Sequence, residues 1–371
     1  MSKLDELIQE LCPNGVEYRK IEEFIDYIQP AKYIVSDTKY DDSYNVPVLT
    51  AGQSFILGYT NENTGVYQAS KENPVIIFDD FTAGFHWVDF PFKVKSSAMK
   101  ILVQKGNINF RYFYHLMGMI NYKSTEHTRL WIGTYSQFEV PVPPMEVQSE
   151  IVRILDNFTL LTAELTAELT ARKQQYEYYR DYLLNFENKK ITYSVEYKTI
   201  GDVTRIERGV RITKKDLIQD GKYPVISGGT KPLGYINNFN RRKGTITIAQ
   251  YGSAGYVDIQ NQDFWANDVC YSVFPSSEIE NRYLYYCLVN NQELLYSLTT
   301  KAIPDHLPLE RLKAVIIPIP PKKVQGEISN LLDNFNIYCK DITKGLPAEI
   351  ELRQKQYEYY RDKLLTFKEL K

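Results

Sequence analysis

Arg172 to Phe186 reads RKQQYEYYRDYLLNF, and Arg353 to Phe367 reads RQKQYEYYRDKLLTF. Eleven of these fifteen positions are identical. The starts of the two tracts repeat as well. VPVPPMEVQSEIVRILDNF (Val140–Phe158) and IPIPPKKVQGEISNLLDNF (Ile317–Phe335) share their prolines, Val-Gln and Leu-Asp-Asn-Phe. Further upstream the likeness weakens but keeps its spacing. Val16-Glu17-Tyr18 parallels Val195-Glu196-Tyr197, and Val46-Pro47-Val48-Leu49 parallels Tyr223-Pro224-Val225-Ile226. Ala83-Gly84 parallels Ala254-Gly255, and Arg111-Tyr112 parallels Arg282-Tyr283. The offset stays between 171 and 181. The chain is two tandem copies of one unit, each a divergent globular part followed by a well-matched helix. A repeat of this length is no solenoid, whose units run about 20–50 residues.

The division has a functional reading. Two similar helices can offer equivalent docking sites to one kind of partner, while two different globular parts recognise different things. Duplication without functional symmetry is the competing reading.

Local pattern fills in the elements. Pro143-Pro144 and Pro320-Pro321 close strand-like stretches and open the helices. In the first helix the apolar positions are Ile151, Leu155, Phe158, Leu161, Leu165, Leu169, Tyr176, Tyr179, Leu183 and Phe186. Spacings of three and four predict one amphipathic helix with a packing seam. About 40 residues at ~1.5 Å each would run ~60 Å, long enough to bridge the globular parts and pair with its copy. The second helix is interrupted at Gly345-Leu346-Pro347. Proline removes a helical hydrogen bond, so a stop is expected after about Lys344 and a restart near Pro347. Val75–Phe78, Lys100–Val103, Thr245–Ile248 and Val269–Phe274 read as strands, Arg111–Met119 and Arg282–Val289 as short helices. The fold class is mixed α/β. The expected division is 1–143 and 189–320 for the globular parts, 144–188 for the central helix and 321–371 for the C-terminal helix.

The bulk numbers exclude several classes. The 371 residues are 43% hydrophobic and 24% charged, the balance of an ordinary globular protein. Nothing approaches 18 consecutive apolar residues, so no membrane span is expected. Met1–Glu10 lacks the basic-then-apolar pattern of a signal peptide. Cys12, Cys270, Cys287 and Cys339 show no C-x-x-C spacing and read as reduced thiols of a cytoplasmic protein. Tyrosine is abundant, at 30 residues, which suits helix seams as well as polar interfaces.

Catalytic motifs are absent from the sequence. It has no G-x-x-x-x-G-K-[ST] loop, no G-x-G-x-x-G, no H-E-x-x-H and no clustered Cys/His metal site. His86, His115, His127 and His306 are scattered. Asp79-Asp80 follows an apolar run, as magnesium-binding acids do in nucleases, but the usual acid-x-Lys companion is missing. A polar turn or a nucleic-acid-facing loop is the preferred reading there. No Asn-Pro-Pro-Tyr or Asp-Pro-Pro-Tyr methyltransferase run is present.

The two-copy plan, the Pro-Pro helix starts, the Arg172–Phe186 string and Cys12-Pro13-Asn14-Gly15-Val16-Glu17-Tyr18 resemble the specificity subunits of Type I restriction–modification systems. So does the tandem tetrapeptide TAELTAEL at Thr162–Leu169, although the second helix has no counterpart of it. The likeness covers nearly the whole chain. It implies two target-recognition domains joined by two long antiparallel coiled-coil helices in a pseudo-twofold repeat, each domain reading one half of a bipartite DNA site. The implied partners are double-stranded DNA, two methyltransferase subunits and restriction subunits. S-adenosylmethionine, ATP and Mg²⁺ would belong to those partners, with no cofactor and no catalysis in this chain.

A net charge of −2 is awkward for a DNA-binding protein, but clustering matters more than the total. The DNA-contact candidates in the second domain are Arg208, Arg211, Lys214, Arg241, Arg242, Gln250 and Tyr251. Arginine can pair with guanine and glutamine with adenine. The first-domain candidates are Asp80, Thr82, Lys93 and Lys95. For each, a solvated surface is the competing reading. The helix seam and partner surface are assigned to Leu155, Phe158, Leu165, Leu169, Tyr176, Tyr179, Leu332, Phe335, Tyr357 and Tyr360. A stand-alone DNA-binding regulator, a scaffold without nucleic acid and a self-contained nuclease remain the alternatives. The nuclease is disfavoured by the missing motifs.

Overall fold

The computed structural model describes residues 2–52, 54–120, 122, 128–187, 190–300, 304–340 and 345–370. His127 and the expected stop at Lys344 lie outside them. The chain divides into two compact units, Met1–Glu164 with Ile350–Lys371, and Leu165–Glu349. The division cuts both helical tracts, so each unit contains helix from both repeats.

Unit 1 opens with α1 (Lys3–Leu11), whose start is closed by a Ser2–Asp5 capping box. Its strands are β1 (Glu17–Lys20), β2 (Ile25–Ile28), β3 (Val46–Leu49), β4 (Ile56–Thr60), β5 (Val75–Asp79), β6 (Phe85–Val88), β7 (Lys93–Val94) and β8 (Met99–Gln104). Helix α2 (Phe110–Met119), β9 (Glu139–Val142) and α3 (Met145–Leu184) follow. The strands form three sheets, ordered β2-β8-β5-β6, β4-β3-β7 and β1-β9.

Unit 2 repeats this plan. It contains β10 (Glu196–Thr199), α4 (Ile200–Val203), β11 (Thr204–Arg208), β12 (Tyr223–Ile226), β13 (Tyr235–Ile236), β14 (Ile246–Ala249), β15 (Val257–Ile259), β16 (Trp265–Ala266) and β17 (Cys270–Pro275). Helices α5 (Asn281–Asn290), α6 (Gln292–Ser297) and α7 (Leu309–Lys313), strand β18 (Ile316–Ile319) and helices α8 (Lys322–Lys340) and α9 (Leu346–Leu364) complete the chain. The sheets run β11-β17-β14-β15, β13-β12-β16 and β10-β18. In both units the second sheet holds one parallel pair, β3–β7 or β12–β16. The order is the same strand for strand, so the duplication read from the helices extends through the globular parts.

The expected strands and short helices appear where the patterns placed them. Helix α3 has 40 residues and starts directly after Pro144. Pro347 lies in the first turn of α9, where the missing N–H of proline leaves no helical bond unmade.

The repeated strings are explained by what they touch. Gln148 Nε2 donates to Pro143 O at 2.7 Å, and its Oε1 accepts from Asn109 N at 2.8 Å. Gln325 Nε2 donates to Pro320 O at 2.8 Å, and its Oε1 accepts from Glu280 N at 2.8 Å. Each buried glutamine thus ties the start of its long helix to the entry of the short one. Tyr112 and Tyr283 donate their hydroxyls to Pro141 O and Pro318 O, both at 3.1 Å. Leu155 and Leu332 are fully buried. The next residues, Asp156 and Asp333, accept from Arg111 and Arg282.

The Tyr-rich strings complete these ties across the repeats. In unit 1, Phe158 stacks on Tyr360 with ring centroids 5.2 Å apart. In unit 2, Phe335 stacks on Tyr179 at 5.5 Å. Buried Tyr176 joins the core of unit 2, and its counterpart Tyr357 packs on that of unit 1. Leu165 and Leu169 are half-buried.

The units differ at one position of this network. His115 is fully buried in unit 1, with Nε2 2.9 Å from Asp156 Oδ1 and Nδ1 2.9 Å from the Tyr357 hydroxyl. Unit 2 places Tyr286 against Asp333 instead. Burial lowers the His115 pKa below the ordinary 6.5, despite the pull of Asp156. The neutral ring then donates from Nε2 and accepts at Nδ1.

Gln148→Ala removes the acceptor of the half-buried Asn109 N–H and the donor to Pro143 O and should cost unit 1 about 1–3 kcal/mol, with Gln325→Ala doing the same to unit 2. Site-resolved hydrogen exchange of α2 and α5 measures each. A depressed histidine pKa contributes stability that is present above pH 6.5 and lost as pH falls below it. Urea unfolding followed unit by unit should therefore show unit 1 weakening as pH falls below 6.5, and His115→Gln should flatten that slope.

Candidate nucleic-acid interface

Three exposed cations of the second unit lie on one strapped loop. Arg208 ends β11, and Arg211 and Lys214 follow, all three exposed. The loop is fixed to the adjoining strands by backbone bonds from Gly209 N to Cys270 O at 3.1 Å and from Val210 N to Ala266 O at 2.9 Å. Asn267 bonds both the N–H and the carbonyl of Ile212, at 3.0 and 3.3 Å. Only glycine fits at 209, because a Cβ there would lie 2.1 Å from Ala266 O. Arg208 stands over the Tyr271 ring at 5.9 Å, and Arg211 Nε lies 4.0 Å from Asp268. Arg242 is exposed and paired with Asp263 at 3.0 Å. These four cations reach solvent from rigid backbone, as charges that recognise phosphates or base edges must.

Several other candidates turn inward, against expectation. Arg241 is only 15% exposed. Its guanidinium donates to Ser272 Oγ at 3.0 Å, to Glu207 at 3.1 Å and to the carbonyls of Asn240 and Arg208. It is a strut. Gln250 is 2% exposed; its N–H bonds Val269 O and its carbonyl accepts from Leu307 N, both at 2.9 Å. Asp80 occupies the same place in unit 1, bonding Ala98 O at 2.9 Å and Leu130 N at 2.8 Å. It is 1% exposed, its Oδ1 accepts from Trp131 N at 2.8 Å, and Lys100 Nζ lies 3.5 Å from its Oδ2. Both residues anchor turns. Lys93 is also buried, donating to Thr64 O and pairing with Glu62, both at 2.8 Å; this holds the Glu62 carboxyl down at about 2. Lys93 lies within β7 and is buried there, whereas Lys95 follows the end of that strand and is exposed, a difference the charge alone does not reveal.

Among the candidates, Tyr251 is half-buried and stacks on His306 at 5.3 Å. Thr82 and Lys95 are exposed on unit 1. Sequence reasoning missed Arg129, which is 54% exposed and lies 3.7 Å from Asp80 Oδ2. No motif flags it; only the fold brings it to that turn.

On the helices, Leu155, Tyr176 and Leu332 are buried within their own units and so face no partner. Tyr178 and Tyr359, one residue from each seam tyrosine, are 65% and 62% exposed. They occupy matching positions in the two YEYYRD strings. Among the described residues no group of His, Cys, Asp or Glu could hold a metal, and no helix is long and apolar enough to cross a membrane.

The duplicated plan has known counterparts. The model of the Type I restriction modification DNA specificity domain matches residues 13–172 and again 194–352. A Type I restriction enzyme specificity subunit of Escherichia coli is 38% identical, covering 99% of this chain and 98% of its own. A putative specificity subunit of Haemophilus influenzae is 32% identical over 95% and 96% of the two chains. The crystal structure of a Type I restriction–modification S subunit from M. genitalium superposes with a TM-score of 0.65, covering 95% of this chain and 97% of that one at 14% identity, and so shares the fold. Two matched domains in tandem, together with whole-length relatives, place the chain in the family of Type I restriction–modification DNA specificity subunits.

Proposed function

We propose that this chain reads a bipartite DNA site, one half-site per unit, and holds methyltransferase and restriction subunits around it. The observation that carries the reading is the contrast within the duplication. The glutamine, tyrosine and aspartate ties of the helices recur in both units, while the loops and exposed cations differ. Equal ties suit equal partners, and unequal loops suit unequal half-sites. The recognition domains are residues 1–143 and 189–320, and the helical segments 144–188 and 321–371 form the scaffold.

The chain itself is non-catalytic. S-adenosylmethionine, ATP and Mg²⁺ act in the partner subunits. Arg208, Arg211, Lys214 and Arg242 contact DNA from the second unit, and Thr82, Lys95 and Arg129 from the first. Tyr178 and Tyr359 mark two equivalent docking sites for methyltransferase subunits. The work is done on DNA in the cytoplasm.

Mapping N6-methyladenine in cells that express this chain with its methyltransferase, against cells lacking it, tests the reading. One bipartite motif is expected. No motif despite an active, co-purifying methyltransferase would point to a stand-alone DNA-binding protein. The tandem TAEL tract lies in continuous α3. Adding one four-residue unit lengthens the helix by ~6 Å, roughly 2 base pairs. The same mapping should show a longer spacer between unchanged half-sites. Arg208→Ala and Lys214→Ala should weaken DNA binding by the methyltransferase complex. Each lost phosphate contact should lower the log–log salt slope by roughly 0.9, read by anisotropy across a salt series.

A further inference from the structure

The same sheet face is built differently in the two units. In unit 1 the face of β5, β6 and β8 toward the β4-β3-β7 sheet carries Val75, Ile77, Val88, Met99 and Ile101, all buried in one apolar cluster. Strand register gives the matching positions in unit 2. Ile77 pairs with Ile101 as Thr247 pairs with Ser272, and Asp79 with Met99 as Ala249 with Cys270. Val88 lies opposite Val75, and Gln260 opposite Thr245, whose carbonyl its N–H bonds at 3.1 Å. The five apolar residues are therefore replaced by Thr245, Thr247, Gln260, Cys270 and Ser272.

This replacement gives up inter-sheet packing, which normally costs stability. Part of the polar face is used internally, since Ser272 takes the Arg241 strut. Thr245 donates its hydroxyl to Arg242 O at 2.8 Å, while Thr247, Gln260 and Cys270 line an open cavity of about 370 Å³ together with Ser227 and Lys231. That is the size range of a small-molecule site. Tyr256 offers a ring, and Asn261 and Asp258 add polar groups. Gln260 Nε2 is oriented by Thr247 Oγ1 at 3.0 Å and Asp258 Oδ2 at 3.2 Å. A set of donors and acceptors around one aromatic ring, with a carboxylate that repels phosphate, suits a planar uncharged heterocycle. Where packing is sacrificed without structural gain, a function is the expected return.

We propose that this cleft binds one nucleobase of the half-site read by unit 2, so that the two units read DNA with different surfaces. The proposal rests on the DNA-reading function above. Its test fills the cleft with the residues unit 1 uses at the same positions, Thr247→Ile with Gln260→Val. Lys231→Ala and Asn261→Ala at the exposed rim serve as a second set, independent of any folding defect in the first. Each variant is expressed with the methyltransferase, co-purification is checked, and methylated motifs are mapped. The expected result is one half-site that loses discrimination at a position, or methylation there reduced about tenfold or more, with the other half-site and the spacer unchanged. Replacing each base of that half-site by 2-aminopurine then separates two modes of binding: brightening at one position marks a base drawn out of the stack, and none marks a base edge read in place. An unchanged motif and rate in both sets of variants would overturn the proposal and leave the DNA-reading function standing. Absence of any bipartite motif with the wild-type chain would overturn both.

Discussion

Each compact unit is closed by helix that belongs to the other repeat. Inside unit 1, Phe158 from the start of the central helix stacks on Tyr360 from the end of the chain, and His115 links Asp156 to Tyr357. Inside unit 2, Phe335 stacks on Tyr179, and Tyr176 joins the core against which Phe335 packs. Neither repeat supplies its own seam tyrosines. The chain ends reinforce this: Val16 N donates to Lys368 O at 2.9 Å and Leu370 N to Val16 O at 2.8 Å. The matched strings are held alike because each has to fit the other's partner surface, whereas the loops are under no such mutual constraint.

That constraint explains what was legible from residues alone. The repeat strings, the strands at Val75 and Val269 and the short helices were readable because periodicity and duplication are local signals. The break near Pro347 was readable because proline chemistry is local too. The site was much less legible. Arg208, Arg211, Lys214 and Arg242 are charged and exposed, as charge suggests. Arg241 adjoins one of them in the chain and yet faces inward, because its place in the fold is that of Tyr67: both exchange backbone bonds with the equivalent Phe264 or Phe92. Nothing in the residues beside Arg241 announces that. Asp80 and Gln250 were singled out for their polarity, but their position between two backbone segments is a property of the tertiary fold.

The interiors show how far the two copies have diverged under one topology. Unit 1 seals its two sheets with an apolar cluster and stacks His86 on Phe55 at 4.6 Å. Unit 2 holds the same sheets with a guanidinium strut. A polar strut in such a place needs its donors paired, and the Arg241 guanidinium makes hydrogen bonds to Ser272, Glu207 and two backbone carbonyls.

The acidic balance of the chain also finds a physical role. Arg211 has Asp268 nearby, Arg242 has Asp263, and Arg205 has Glu207. A phosphate has to displace or share each of these carboxylates, so non-specific attraction to DNA is weaker than the cation count suggests. Weak non-specific binding raises the ratio by which a correct site is preferred, which is the quantity that matters among many competing sequences. A chain of net charge −2 can therefore serve a reading role that a strongly basic one would serve less selectively.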